Sequence, residues 1–462
     1  MRYLKVTLKR FTTLLAVISS IIFFQQQCFA ANCPCDIFAS GGTPCVAAHS
    51  TVRALYNSYD GPLYQVRRLP DTANKKDIYP LTPGGIANSA VQDSFLGSKA
   101  GAISIIYDQS PNGNNLKRSP GGGEVCRHVD QEAVAGALPF MLGGHRVYGI
   151  KVISDDSGGC TPSPGGEGTG YRLDKTKGIA TGDQAETVYM VTSGDYQSYQ
   201  NSGCCYDFGN VETNDKDDGA ATMEAICFGG GAGWGHGGGS GPWVLADMEN
   251  GVFSGSTNGY TGNTSVPYPY VTAVLIGRSG GTYALLAGNA QSGSLTTMYD
   301  GSRPNGYTVM KKQGSIVLGT GGDNSDHGKG YFYEGVMTSG AATVATMNQV
   351  QAEIVAAGYG STITIIKNSA NNAPNAASLF NARYNPSTSS AVISYALHDA
   401  RRVSMTVFDP SGRRIASVVN SVMPAGSHEA VWNAKGVPAG VYILKIAIDG
   451  WDEEAGRLVV GK

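Results

Sequence analysis

Tyr270-Val-Thr-Ala-Val-Leu-Ile-Gly277 is a short apolar run, rich in β-branched residues and closed by glycine. A run of that length and composition reads as a strand buried in a sandwich core. Glu186-Thr-Val-Tyr-Met-Val-Thr192 and Ser315-Ile-Val-Leu318 repeat the pattern, and between about Cys35 and Gly360 such runs are punctuated throughout by glycine. Glycine makes up 64 of the 462 residues, about twice the usual share, so turns are abundant. The predicted fold class is all-β, a large β-sandwich. One exception stands near its end, where Val344, Met347, Val350 and Ile354 recur at helical spacing and predict a single amphipathic helix.

Working outward, Arg2, Lys5, Lys9 and Arg10 precede an apolar run from Phe11 to Phe24, and Cys28-Phe29-Ala30 follows. The run is shorter than the ~20 residues a membrane span needs, so residues 1–30 read as a signal peptide cleaved after Ala30. The expected location is secreted or cell-surface, without membrane insertion. Three glutamines before Cys28 argue against a lipoprotein anchor. Only 15% of residues are charged and the net charge is −2, which leaves no basic surface for a phosphate backbone and excludes nucleic acid as a partner. The protein is expected to be a monomer. Of the nine cysteines, eight remain after Cys28 is removed with the leader, an even number in an oxidising compartment. Eight cysteines allow 105 full pairings, and spacing alone does not choose among them. Cys33-Pro34-Cys35 and Cys204-Cys205 do not have the spacing of zinc ligands.

The sandwich is expected over residues 31–366, followed at 367–380 by a linker of small polar residues without apolar period. In residues 381–462, Val403, Met405 and Val407 alternate before the turn Asp409-Pro-Ser-Gly412, and Tyr442, Leu444, Ile446 and Ile448 alternate after Pro438-Ala-Gly440. A second, small antiparallel β-domain is the prediction. Its Tyr384-Asn-Pro386, Ile393-Ser-Tyr395, Trp432 and Gly440-Val-Tyr442 resemble the immunoglobulin-like C-terminal modules that serve as type IX secretion signals. That resemblance implies contact with a secretion machinery; a spacer or wall-binding module of the same fold is the alternative.

The most informative chemistry lies in Gly241-Pro-Trp-Val-Leu-Ala-Asp-Met-Glu-Asn-Gly251. As an extended strand it turns Trp243, Leu245, Asp247 and Glu249 to one face, placing two acids beside a tryptophan. Like charges so placed repel, which costs stability unless function compensates. A solvent-facing strand with ordinary carboxylates is the alternative. Gly319-Thr-Gly-Gly-Asp-Asn324 presents Asp323 where a strand ends and lets the backbone approach a ligand closely. A calcium loop there lacks the EF-hand order of ligands. His49, His128, His145, His236 and His327 show no metal-binding spacing, and no serine-hydrolase elbow is present. Carboxylate chemistry remains.

Cys35-Asp-Ile-Phe-Ala-Ser-Gly-Gly-Thr-Pro-Cys45, Gly61-Pro-Leu-Tyr-Gln-Val-Arg67, Ile106-Tyr-Asp-Gln-Ser110, Gly203-Cys-Cys-Tyr-Asp207, Ala246-Asp-Met-Glu-Asn-Gly251 and Tyr333-Glu-Gly-Val-Met-Thr-Ser339 carry a resemblance. Together, from about Cys35 to Tyr359, they resemble the catalytic domain of family 54 glycoside hydrolases, of the α-L-arabinofuranosidase B type. The resemblance implies a concanavalin-like β-sandwich and retaining hydrolysis of arabinofuranosyl groups on arabinan or arabinoxylan. Carried over by position, Glu249 is the nucleophile and Asp323 the general acid/base. Asp247 and Asn250 hold sugar hydroxyls, and the Gly322 backbone and Trp234 line the pocket. Cys204 and Cys205 are a vicinal disulfide beneath the furanose, and Cys35 pairs with Cys45. The family mechanism requires no metal and no organic cofactor. Glu224 and Glu334 lie in recognisable blocks and are read as structural acids.

This chain departs from the family pattern at two places. Gln92-Asp-Ser-Phe-Leu96 continues without the cysteine of a second small-loop disulfide, leaving Cys126, Cys160 and Cys227 unmatched, with Cys126 to Cys160 one imaginable bridge. The family's arabinose-binding β-trefoil is replaced by the small C-terminal module. The rival class is a non-catalytic, lectin-like carbohydrate-binding protein, which release of arabinose from an aryl arabinofuranoside would exclude.

Overall fold

The computed structural model describes residues 33–120, 130–153, 168–197, 206–230, 233–325, 328–360 and most of 381–460. The expected leader, Cys126, Cys160, Cys204-Cys205 and the 367–380 linker lie outside the described residues.

Val271–Arg278 is central to a six-stranded antiparallel sheet. Its order is Cys45–Ser50, Glu334–Ser339, Glu186–Thr192, Val271–Arg278, Thr282–Asn289 and Thr296–Ser302. Packed against it is a ten-stranded sheet that runs from Val252–Phe253 through Trp243–Asp247, Glu224–Gly229, Asp207–Val211, Ser315–Leu318, Tyr171–Leu173, Leu116–Arg118, Gly101–Ile106 and Tyr64–Arg68 to Lys75–Ile78. Phe208, Ile226, Val244 and Ile316 from the larger sheet meet Val188, Val274 and Leu286 from the smaller in one core. Each such side chain, fully buried, contributes roughly 1.5–3 kcal/mol relative to exposure, which is what holds the two layers face to face. The fold is nearly all-β, as expected.

The predicted helix forms over Val344–Ala357. Thr343 caps it by accepting from the Thr346 N–H at 3.0 Å, Gly358 ends it at φ 77°, and Met347, Val350 and Ile354 enter the core. Two further helices, Pro34–Ser40 and Ser89–Leu96, were not expected from periodicity; each is too short to show one. A Cys35–Cys45 disulfide ties the first to the sheet, as the resemblance implied. Cys33 and Cys227 are free, buried thiols.

Further along the chain, Asn381–Asn385, Ser390–Leu397 and Gly426–Asn433 form one antiparallel sheet. Arg414–Met423, Arg401–Phe408, Gly440–Ile448 and Asp452–Val460 form another. Val403, Met405, Val407, Tyr442, Leu444, Ile446 and Ile448 are buried in a core of their own around Trp432, so the alternation read from sequence is the inward face. Among the described residues no helix is long and apolar enough to cross a membrane.

Candidate active site

The face of the ten-stranded sheet turned away from the sandwich core carries the acids. Along Trp243–Asp247, Val244 and Ala246 enter the core, while Trp243 and Leu245 pack with Cys227 and Val252 on the opposite side. Alternation therefore places Asp247 on that outer face. For Glu249 the extended-strand expectation needs correction: the strand ends at Asp247, and Glu249 and Asn250 have φ of 61° and 56°. A left-handed turn, not alternation, presents the Glu249 carboxyl. The turn is held by the Glu249 N–H donating to Asp247 Oδ1 at 3.2 Å and the Tyr307 hydroxyl donating to the Glu249 carbonyl at 3.0 Å. Non-glycine residues in this conformation are strained, and such strain concentrates at functional sites.

Two further acids, to which sequence reasoning gave no role, join the pair. Asp207 lies opposite Cys227, and Asp247 opposite Ala225, so Asp207, the Cys227 thiol and Asp247 gather with their polar atoms within 4.8 Å of one another. Glu212 follows the Asp207–Val211 strand and accepts from the Thr222 hydroxyl. A Cβ at Gly322 would fall 2.1 Å from Glu212 Oε2, so only glycine lets the loop that bears Asp323 lie over this carboxyl. The fully buried Arg172 guanidinium joins the two arms, donating to the Gly322 carbonyl at 2.7 Å and to the Glu212 carbonyl. Its charge is matched by Asp174 at 2.6 Å and Asp215 at 2.8 Å.

Asp323 stands on a turn beyond the end of Ser315–Leu318, where its Oδ1 accepts from the Ser325 N–H at 3.0 Å. Asn324, at φ 66°, anchors that turn by accepting from the Ser119 hydroxyl at 2.6 Å and donating to the Pro120 carbonyl at 2.8 Å. The Asn250 amide donates to Asp217 at 2.8 Å, and Trp234 is half exposed.

Burial dominates the electrostatics. It pushes Asp207 well above the carboxylate range, with the charges of Asp247 and Asp323 adding to it. Burial, then Glu212 and Asp323, raise Asp247 to about 7. Glu249 is pushed up to about 10 by burial and by Glu212, Asp247 and Asp323. Glu212, which shares a hydrogen bond with Glu249, is also raised, first by burial. The charge of Asp323 acts on Asp207, Asp247 and Glu249 alike, which places it in electrostatic reach of all three. Burial likewise raises the Cys227 thiol well above its usual range, so Asp207, Cys227 and Asp247 form a proton-rich hydrogen-bonded group. Glu224 and Glu334 are different: Glu224 pairs with Arg303 and Lys312, and Glu334 with Arg53, all within the interior. His49 is buried with Nε2 at 2.8 Å from the Asn114 carbonyl.

A β-sandwich with crowded, proton-sharing carboxyl groups on its outer sheet face defines a protein whose chemistry is that of paired acids. The profile of the α-L-arabinofuranosidase B catalytic domain matches residues 34–360, and the chain belongs to that family. A probable α-L-arabinofuranosidase B of Aspergillus terreus is 49% identical over 350 residues, covering 74% of this chain and 66% of the relative. Relatives from Aspergillus fumigatus and Aspergillus clavatus are covered to 62% and 63%, so the chain spans under two thirds of the length of these curated relatives. Among solved structures, a glutamate-to-glutamine mutant of a GH54 α-L-arabinofuranosidase soaked with 4-nitrophenyl α-L-arabinofuranoside is 42% identical with a TM-score of 0.65, covering 80% of this chain and 73% of that one. An arabinofuranosidase complexed with arabinofuranosyl-α-1,2-xylobiose is 38% identical with a TM-score of 0.65, covering 88% and 85%.

Proposed function

We propose that the protein is a retaining α-L-arabinofuranosidase that removes terminal arabinofuranosyl groups from arabinose-bearing plant polysaccharides. The observation that carries this reading is the strained turn that presents Glu249 among Asp207, Glu212 and Asp247, within electrostatic reach of Asp323. A Glu249 carboxylate oxygen attacks the anomeric carbon while the bond to the leaving oxygen breaks and Asp323 donates a proton to that oxygen. Water then gives its proton to Asp323 and its oxygen to the anomeric carbon, releasing arabinose and restoring Glu249. Nucleophilic attack needs Glu249 as the anion, so the proton shared by the Glu212–Glu249 pair resides on Glu212 during that step. Once the ester forms, Asp323, having given up its proton to the leaving oxygen, is the base for the attacking water.

Asp247 and Asn250 hold sugar hydroxyls, and the Gly322 backbone and Trp234 shape the pocket. The arabinofuranosyl-xylobiose complex of the 38%-identical relative supports arabinoxylan as one substrate. Residues 1–30 act as an export signal, and the module beyond residue 380 as a sorting or surface-retention domain; its separate core supports this division. Proton NMR of the first sugar released from an aryl arabinofuranoside is the test. Retention of the α-anomer is expected; an inverted anomer, or no hydrolysis, overturns the assignment.

A further inference from the structure

The face that bears the acids continues across the sheet as a single row of directly opposed residues. From Asp247 it passes to Ala225, Gly209, Val317, Arg172, Lys117, Ile105 and Gln65. Opposed residues in a sheet share a face, so the acids and the far end of the row lie on one side of the sheet, while Ala225, Gly209, Val317 and Arg172 between them are buried. Its far end opens into a cleft of about 620 Å³, lined among others by Arg67, Lys75, Lys117, Arg118, Gln65 and Glu132. Among the described lining residues Glu132 is the one acid, and it is already paired with Arg67 at 2.5 Å. Lys75, Lys117 and Arg118 are exposed. In a chain of net charge −2, this is a local excess of cations. Its near edge, at Lys117, lies about 24 Å, five strand spacings, from Asp247.

We infer that this cleft is a subsite for the carboxylate of a uronic acid residue in the polysaccharide whose arabinosyl group occupies the active site. The guanidinium and ammonium groups match a carboxylate, and Gln65 and Ser104 offer hydrogen bonds to neighbouring hydroxyls. A polymer passing over the covered middle of this face reaches both ends at once, and the second contact becomes effectively intramolecular. The inference rests on the proposed arabinofuranosidase activity only in choosing the polymer.

The test uses the full chain and its Lys117→Glu/Arg118→Glu variant. The probes are a xylan bearing arabinofuranosyl and uronic acid side groups, the same xylan after carboxyl reduction, and an aryl arabinofuranoside. Binding is read by affinity electrophoresis and hydrolysis by KM. The variant should bind the acidic xylan about three- to tenfold more weakly, a difference that added salt erases. Binding to the reduced xylan and turnover of the aryl glycoside should not change. Equal loss on both xylans, or loss on neither, overturns the subsite. Failure of the wild-type protein to hydrolyse the aryl glycoside overturns the activity instead and leaves the binding result readable.

Discussion

The Glu224–Gly229 strand separates two buried acid clusters that differ in one respect. On its inner side Glu186 and Glu224 share Lys312 at 2.9 and 2.7 Å, and Arg303 meets Glu224 at 2.7 Å. Burial raises Glu186 to about 7 despite Lys312, but Glu224, which meets both cations, is held below the usual range by Lys312 and Arg303. On the outer side Asp207, Glu212, Asp247 and Glu249 crowd together, and Arg172 meets the backbone of this cluster, not its carboxyls. All four outer acids are raised. Matched charges in an interior hold a fold together, whereas unmatched ones weaken it and persist where chemistry needs them.

The comparison breaks first at single residues. Glu249→Gln should lower turnover of an aryl arabinofuranoside about 10⁴-fold or more, while its unfolding midpoint in urea stays level or rises. Glu224→Gln should do the reverse. It leaves Lys312 and Arg303 under-compensated in the interior and should cost about 3–5 kcal/mol, with turnover per folded molecule preserved. A destabilised Glu249→Gln together with a stable Glu224→Gln would erase the distinction between the clusters.

Gly322→Ala should come next. The new methyl meets Glu212 Oε2 and moves either that carboxyl or the Asp323 turn, so kcat should fall about 10²-fold with little change in thermal midpoint. An unchanged kcat would mean the loop accommodates the methyl without disturbing the acids.

A smaller effect is expected from pH. Asp247 is raised from an ordinary value near 3.8 to about 7 and Glu249 from 4.5 to about 10, so the native state binds more protons than the unfolded chain between these values. Stability contributed by these groups is therefore greatest below about pH 4 and declines as pH rises through 7 toward 10. Urea unfolding of Glu249→Gln across this range should show a shallower decline than the parent. The smallest effect concerns Cys227: burial holds its thiol protonated, so the native protein should react with a thiol reagent at this residue only on unfolding. Rapid labelling at Cys227, located by peptide mapping, would show that the sheet face is open to solvent there.

Glu186–Thr192 and Ser315–Leu318 are legible because a strand buried on both faces is apolar through most of its length, and their boundaries match the sequence runs. The Val344–Ala357 helix is legible through its period. Asp247 and the core face of its strand follow from alternation, but the turn after it does not, because Glu249 is not a residue type that announces a positive φ. The Asn250-Gly251 pair that follows was the available signal for a turn. Asp207 and Glu212 escaped notice because their partners, Asp247 and Glu249, come from a strand two positions away in the sheet. Nothing in the local sequence distinguishes a carboxyl that will face another carboxyl from one that will face water.

The φ of 61° at Glu249 has a bearing on synthesis. Glycine is the residue that adopts this backbone without penalty, so Glu249→Gly should remove the attacking group and relax the turn in a single change. Such a variant cannot form the glycosyl ester, yet it keeps Asp323 and leaves a void where a fluoride leaving group fits. On the proposed mechanism, supplied with β-L-arabinofuranosyl fluoride and an acceptor sugar, it should join the two and be unable to cleave the product, making the scaffold a catalyst for building arabinosides.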